Sequence, residues 1–487
     1  MGSSAEALRL RCRAALTDLS APGDEGARLE AAFHAIREVQ DAGVLDDDAQ
    51  GISLAVLLRL AAVEEADRRW PFAEIGRTLA ARGEHSYLTN QLPRVRTDAD
   101  RRELLEQHRI WGRAAEAKAA RKPITVAPRG PRTRRRIGLL SADLRMHVVL
   151  AFAEPLIQYA GENGVELYCY SAQPGEPDAA QQHVARHVAA FRHLPGAVAH
   201  ELAQAIAADA PDVLIDIGGS TGFNRVEAMA HRLAPVQLSW MGYPHSCGLS
   251  TIDYMVLDPH LAPTDTSLLI ERPLLMPRSS IALSPGFLSR EAPLAAELPQ
   301  ERKGVFTFGS AGSTYKYSAA SLRAWARVLA SVPNSRFLFV RPEGGSEIFR
   351  RNVAEHFARM GVADDRLDFA VVRHRHRPLL SEIDISLDTF PLTGGTTTIE
   401  ALWMGAPVVS LRGPAVYERV SHAILTNVGL SDLSVETEDA FVARAVELAG
   451  DQVRRRRWRA EGRDAMTAAL GDAQGFAAEF YAMLARF

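Results

Sequence analysis

The segment LDTFPLTGGTTTIEALWMGAPVVSL, residues 387–411, contains two short apolar runs separated by a Gly/Thr-rich turn and a helical pattern. Apolar runs of this length that alternate with helical patterns are typical of parallel β-strands joined by crossover helices. The turn at 393–397 follows the first run, so we expect it at the carboxyl end of a strand, where open α/β sheets bind ligands. The segment therefore predicts a doubly wound α/β sheet with a ligand-binding turn at this edge.

The same alternation occurs in two separate series along the chain. The first contains RIGLLSA, VELYCYSA, DVLIDIGG, VQLSWMGYP and DYMVLD, and the second contains GVFTFGS, RFLFVRP, RLDFAVV, IDISLDTF and PVVSLRG. Each series predicts one parallel sheet that is covered by helices on both faces. We therefore expect two Rossmann-like, doubly wound lobes that face a cleft, over residues 125–295 and 296–465.

The segments before and after these two series carry helical patterns. EGARLEAAFHAIREV and GISLAVLLRLAAVEEADRRW place apolar residues three and four positions apart, which is typical of amphipathic helices. Residues 1–124 show no convincing strand pattern and are predicted to form an all-helical domain. Residues 466–487 have the same period and predict a C-terminal helix.

The composition excludes several classes of protein. The chain has 487 residues and a net charge of −3, so we expect no bulk attraction to nucleic acid or to an anionic membrane. Its three cysteines have no paired spacing, which argues against a disulfide framework and against a cysteine zinc site. No segment approaches the ~20 apolar residues of a membrane span, and the start lacks a signal-peptide pattern. We expect a cytoplasmic protein.

The turn in the opening segment has residue types that suit an anion. Gly394 and Gly395 lack a Cβ, so their backbone amides can approach a ligand closely. The helix that begins near Thr396 presents unpaired N–H groups and a positive dipole end, which favour a phosphate. Thr396 and Thr397 add hydroxyl donors, and Glu400 lies one turn further along, where its carboxylate can accept from ribose hydroxyls. An ordinary helix cap fits this pattern equally well.

The same segment resembles the donor-binding segment of the O-GlcNAc transferase/SPINDLY family of glycosyltransferases. Further stretches resemble motifs of that family in the same order: LPRVRTDADRRELLEQHRIWGR, RRIGLLSADLRMHVVLAF, PDVLIDIGGSTGFNR, RLAPVQLSWMGYPHSCGLSTIDYMVLD and FTFGSAGSTYKYSAASLRAW. The resemblance implies an inverting glycosyltransferase of the GT-B type that moves GlcNAc, or a related sugar, from UDP to Ser or Thr of a protein. It also implies no metal ion and no cofactor, with the acceptor docking at the cleft and at the helical domain.

The resemblance implies roles for individual residues. Lys316 and His147 fall on the family's catalytic positions: Lys316 contacts the donor phosphates, and His147 acts as a base or positions the substrates. A fixed ammonium suits a metal-free enzyme because the departing UDP needs positive charge nearby. The other implied donor contacts lie near the uracil and the phosphates, and they are Ser313, Val371, Arg373 and His376.

Tyr243 and Pro244 are implied to line the cleft near the sugar. Asp212 is placed there too, at a position where some family members have histidine. Two further positions depart from the family pattern: Val148 replaces a proline after the active-site histidine, and His245 replaces a small residue after the Gly-Tyr-Pro motif. These departures surround the sugar and the acceptor, so the sequence supports nucleotide binding more strongly than it identifies the sugar.

Two other functions remain compatible with the sequence. A UDP-sugar epimerase of the same fold would convert the donor without an acceptor, but the acidic residues that it needs around the sugar ring are not recognisable here. A non-catalytic nucleotide-sugar-binding adaptor would bind UDP and dock a partner through its helical domain. Fold alone does not decide between these functions.

Overall fold

The protein consists of a helical region followed by two parallel α/β sheets, as the sequence predicts. The computed structural model describes residues 2–18, 24–288, 293–372 and 376–487. The described part of the helical region contains no strand, and its α-helices are α1 Gly2–Asp18, α2 Glu25–Asp41, α3 Gln50–Arg59, α4 Val63–Arg69, α5 Phe72–Ala81 and α6 Asp98–Ala120. A 3₁₀ segment, His85–Arg94, precedes α6.

The first lobe is a seven-stranded parallel sheet with the order β3-β2-β1-β4-β5-β6-β7. Its strands are β1 Arg135–Leu140, β2 Val165–Ser171, β3 Ala190–His193, β4 Val213–Asp216, β5 Val236–Trp240, β6 Tyr254–Leu257 and β7 Arg272–Leu275. The helices between them are α7 Val148–Tyr159, α8 Ala179–His187 and α9 Ala199–Asp209. The strand order reverses between β1 and β4, so their carboxyl ends mark the crevice where such sheets bind ligands.

The second lobe is a six-stranded parallel sheet with the order β10-β9-β8-β11-β12-β13. Its strands are β8 Phe306–Ser310, β9 Ser335–Val340, β10 Leu367–Ala370, β11 Ile385–Leu387, β12 Val408–Leu411 and β13 Ser434–Val435. The helices that precede and cover it are α10 Pro285–Leu288, α11 Pro299–Lys303, α12 Ala319–Ser331, α13 Glu347–Ala358, α14 Arg377–Leu380, α15 Thr396–Trp403, α16 Val420–Asn427 and α17 Glu438–Gly450. Here the order reverses between β8 and β11, and the Gly/Thr-rich turn follows β11.

The C-terminal segment forms two helices, α18 Gln452–Leu470 and α19 Ala473–Leu484, so the proposed boundary at residue 466 falls within α18. α19 returns to the first lobe, where the Phe480 ring lies 5.0 Å from the Trp240 ring. The Tyr481 hydroxyl donates to Leu156 O on α7 at 2.6 Å. The end of the chain is therefore part of the first lobe's core.

Three strands, β3, β7 and β13, have no counterpart in the sequence prediction. Each lies at the edge of its sheet. They are short, and β3 and β7 are partly exposed, so they lack the continuous apolar run that identifies a buried parallel strand. The prediction therefore identified every interior strand and missed three of the four edge strands, β10 being the exception.

Cys12, Cys169 and Cys247 are buried free thiols, in agreement with the prediction of no disulfide framework.

Among the described residues, none of the helices combines the length and the apolar character that crossing a membrane requires.

We expect Phe480→Ala to lower the free energy of unfolding by about 3–5 kcal/mol, because it leaves a cavity beside Trp240 in the first lobe's core. Urea unfolding followed by circular dichroism measures the change. Arg486→Ala, at an exposed position of the same segment, is the control and should leave the midpoint unchanged. An unaltered midpoint in Phe480→Ala would contradict the docking of α19 on the first lobe.

Candidate active site

The carboxyl ends of the two sheets face a common cavity. The first lobe contributes the start of α7 and the segments after β5 and β6, and the second contributes the start of α15, parts of α16 and Val416. The predicted residues Tyr243, Pro244, Gly395 and Thr396 line this cavity. The two lobes therefore bring together residues that are far apart in the sequence.

The N-terminal end of α15 opens into this cavity. Gly395 is its N-cap residue, and no side chain caps the helix. The amide of Gly394 donates to the Asp388 carboxylate at 2.9 Å, so the amides left for a ligand belong to the first helical turn. Thr396 and Thr397 in this turn are partly exposed. The helix end thus has the dipole and the N–H groups that bind a phosphate.

Asp388 holds the turn before α15 in place. Its Oδ1 accepts from the amides of Thr389 and Gly394, both at 2.9 Å, and its Oδ2 accepts from the Ser410 hydroxyl at 2.7 Å. Burial raises the pKa of the Asp388 carboxyl, while its donors and the nearby Lys316 favour the charged form. We did not predict this role, although an acidic residue directly after a buried strand was a visible signal.

Lys316 lies beside the same turn. It ends the short 3₁₀ helix after β8, and its Nζ donates to Thr393 O at 3.0 Å. Burial lowers the pKa of Lys316, the Asp388 carboxylate partly offsets this effect, and Arg341 adds to the lowering. The lysine ammonium and the N-terminal end of α15 therefore converge on one turn at the switch point of the second sheet.

Glu400 contacts two residues at the start of α14. Its buried carboxylate accepts from His376 Nε2 at 2.8 Å and from Arg377 Nε at 3.0 Å. Burial alone would raise the pKa of Glu400, but the contacts with His376 and Arg377 lower it below its usual value. Both carboxylate oxygens therefore hold the start of α14 against α15, and the contact of Glu400 with ribose hydroxyls stays a prediction.

Three other implied donor contacts, Ser313, Val371 and His376, belong to loops at this same edge of the second sheet. Ser313 is the half-buried N-cap residue of the 3₁₀ helix that ends at Lys316. Val371 follows β10 and is exposed. Arg373 lies outside the described residues. The donor-binding roles of Ser313, Val371, Arg373 and His376 stay predictions.

His147 is the N-cap residue of α7, in the loop after β1. Its Nδ1 accepts from Val149 N at 3.3 Å and lies 3.7 Å from Asp143 Oδ1. Burial lowers the pKa of His147, Asp143 opposes the shift, and Arg145 adds to it. A neutral imidazole that accepts through Nδ1 carries its proton on Nε2. This arrangement suits a donor that positions a substrate rather than a base, and the neighbouring Val148 lines the cavity.

α6 connects the helical region to both walls of the cavity. His108 Nδ1 donates to Leu104 O at 2.8 Å, and its Nε2 lies 2.8 Å from the Tyr243 hydroxyl. Burial lowers the pKa of His108 to about 4, so the ring is neutral and Tyr243 donates to it. Seven residues earlier on α6, Arg101 pairs with buried Glu418 of the second lobe at 2.9 Å. Sequence analysis assigned no role to His108 or Arg101, although both lie in the family-like stretch LPRVRTDADRRELLEQHRIWGR.

Asp212 lies at the opposite edge of the first sheet from the cavity. It directly precedes β4, whereas the cavity is at the carboxyl ends of the strands. Its Oδ2 accepts from Arg136 N at 2.8 Å, and Arg132 approaches its Oδ1 at 3.7 Å. The expectation that Asp212 lies near the sugar is therefore wrong, and the residue instead joins the starts of β4 and β1.

Comparison with known families identifies this arrangement. The family model described as glycosyl transferase family 41 matches residues 119–279 and 297–480. The chain belongs to glycosyl transferase family 41. The matched ranges include both lobes, the Lys316 loop and the N-terminal end of α15.

Two curated relatives and one solved structure are similar to this chain. The probable UDP-N-acetylglucosamine–peptide N-acetylglucosaminyltransferases SPINDLY of Eustoma exaltatum subsp. russellianum and of Arabidopsis thaliana are 32% and 31% identical to this chain, covering 72% and 74% of it. The chain spans only 38% and 40% of the length of these relatives. A mutant O-GlcNAc transferase from Thermobaculum terrenum matches with a TM-score of 0.69 at 24% identity, covering 100% of this chain and 97% of that chain. The predicted GT-B fold is thereby confirmed.

The two glycines of the turn should respond differently to substitution. A Cβ on Gly394 would overlap Thr398 Oγ1 and lie 2.9 Å from Asp388 Oδ1, whereas a Cβ on Gly395 would lie 3.4 Å from Val420 in ordinary contact. We expect Gly394→Ala to destabilise the protein by about 1–3 kcal/mol through overpacking, and Gly395→Ala to leave thermal unfolding unchanged. Equal unfolding temperatures in the two variants would contradict the packing of this turn.

Proposed function

We propose that this chain is an inverting, metal-independent glycosyltransferase that moves GlcNAc, or a related sugar, from a UDP-sugar to Ser or Thr hydroxyls of a protein acceptor. The observation that carries the proposal is the convergence of Lys316 Nζ and the N-terminal end of α15 on the turn at 393–395. Membership of family 41 and the names of the SPINDLY relatives support it. A cytoplasmic location remains part of the proposal.

The proposed reaction uses both walls of the cavity. The acceptor oxygen attacks the anomeric carbon as the bond to UDP breaks on the opposite face, and the hydroxyl proton passes to a diphosphate oxygen of the departing UDP. Lys316 with the α15 amides stabilises the charge that develops on the diphosphate. These groups are fixed before the reaction begins, so they need no rearrangement as UDP leaves. His147 donates through Nε2 to orient a substrate, and Tyr243 and Pro244 limit the space for the sugar.

The test incubates the protein with UDP-GlcNAc and a synthetic peptide library that has a fixed central Ser or Thr, in the presence of EDTA. Mass spectrometry should show peptides that carry one added N-acetylhexosamine. Lys316→Met should lower the rate of transfer by about 100-fold or more, because it removes a charge that stabilises the leaving group. Lys303→Met is the matched control, since Lys303 pairs with Glu382 on the same lobe, and it should retain full activity.

Three outcomes would contradict the proposal. Conversion of UDP-GlcNAc to an isomer without any peptide would indicate an epimerase. Saturable binding of UDP without turnover on any peptide would indicate a nucleotide-sugar-binding adaptor. Full activity in Lys316→Met would remove the assigned source of leaving-group stabilisation.

The rate of transfer should fall on the alkaline side at a pH below the ordinary lysine value of 10.5. Burial lowers the pKa of Lys316, so its ammonium is lost as the pH rises through a value below that of an ordinary lysine. A pH profile of kcat measures this limb. Lys316→Arg keeps its charge to higher pH, so any activity that it retains should not show the same limb.

A further inference from the structure

Phe223 holds an aromatic ring in solvent on the loop after β4. The residue is 57% exposed, and its φ of 61° lies in the left-handed region. That conformation is costly for a bulky L-residue, and an exposed ring gains little from the hydrophobic effect. Backbone strain of this kind is typical of functional sites, where a side chain must be presented in a particular place.

Phe223 differs from the other non-glycine residues that the described chain holds in this backbone region. Ala61 and Ala210 are small and buried, Arg232 forms an ion pair, and Met241 lines the cavity between the lobes. Among the residues that the structure describes, Phe223 is thus the one that combines a left-handed backbone with a large exposed apolar side chain.

The loop that carries Phe223 is anchored at both ends. The Asp216 carboxylate accepts from Gly219 N at 2.6 Å and from Asn224 Nδ2 at 2.9 Å. Asn224 Nδ2 also donates to Gly219 O at 2.8 Å. Residues 220–223 therefore form a short tip between two fixed points, and the backbone of Phe223 is organised before any partner binds.

This tip lies close to the first lobe's wall of the cavity. β4 pairs with β1, so the tip and the His147 loop extend from neighbouring strands at the switch point of the first sheet. Gly219 packs so closely on Tyr243 that a Cβ on Gly219 would overlap the tyrosine Cβ. Phe223 follows Gly219 by four positions, which limits its distance from the cavity wall to about 14 Å.

We propose that Phe223 is a specificity-determining residue that packs against an apolar side chain of the acceptor polypeptide, close to the Ser or Thr that receives the sugar. This inference rests on the proposed function. The partner is the polypeptide rather than the donor, because Lys316 and the N-terminal end of α15 belong to the second lobe and Phe223 to the first. A rigid aromatic ring suits this role, since it offers contact area at a small loss of conformational entropy.

The test uses two synthetic peptides with a central Ser, one flanked by Val and Leu and the other by Gly and Ser, with UDP-GlcNAc as the donor. Phe223→Ala should raise KM for the apolar-flanked peptide by about fivefold to thirtyfold. KM for the Gly/Ser-flanked peptide and KM for UDP-GlcNAc should remain unchanged. Phe223→Tyr keeps the ring and should retain the wild-type KM values.

Phe223→Gly distinguishes the effect of losing the aromatic ring from the effect of relieving the backbone strain. Glycine removes the ring but fits the left-handed conformation, so this variant should match Phe223→Ala in KM and unfold at an equal or higher temperature. Val453→Ala removes an exposed apolar side chain on α18 and should change no kinetic constant.

Each outcome separates the inference from the proposed function. If the wild-type protein transfers sugar and Phe223→Ala has unchanged peptide KM, the inference alone is overturned. An equal rise in KM for UDP-GlcNAc, or a KM effect in Phe223→Ala that Phe223→Gly abolishes, would also overturn it. A wild-type protein that transfers no sugar to any peptide would overturn the proposed function and this inference with it.

Discussion

The buried carboxylate of Asp388 fixes the turn on which the rest of the site depends. By accepting from Gly394 N and from the Ser410 hydroxyl, it ties the end of β11 to β12 and to the residues just before α15. The turn then presents Thr393 O to Lys316 and directs the first amides of α15 into the cavity. The buried carboxylate of Asp388 therefore brings the positive end of the α15 dipole and the Lys316 ammonium to the same turn.

The helical region is part of the frame of this site and not only an attachment to it. Arg59 on α3 pairs with buried Glu343 of the second lobe at 2.9 Å, Arg101 pairs with Glu418, and His108 accepts from Tyr243 of the first lobe. Breaking one partner of a buried ion pair leaves an uncompensated charge. The region therefore resists sliding against either lobe, which helps to hold the two walls of the cavity in register.

The interior strands of both sheets were predictable from sequence, whereas three of the four edge strands were not. Buried parallel strands appear as continuous apolar runs, whereas β3 and β13 are short edge strands without that signal. The same limit applies at the site. Helix spacing correctly placed Glu400 on the face of Thr396, but it carried no information that α14 would supply His376 and Arg377 as partners. The family resemblance predicted that Asp212 lies near the sugar. In the structure Asp212 directly precedes β4, at the opposite edge of the sheet from the cavity.

Local pattern determined which segments became strands and helices, where the glycine turn would lie, and that a helix end would point out of it. These properties depend on residues that are neighbours in the chain, so periodicity and turn chemistry reveal them. Tertiary structure alone decided which side chains meet groups that are distant in the sequence. Lys316 reaches Thr393, His108 reaches Tyr243, and Phe223 remains in solvent because contacts over long sequence separations depend on how the two sheets and α6 pack together.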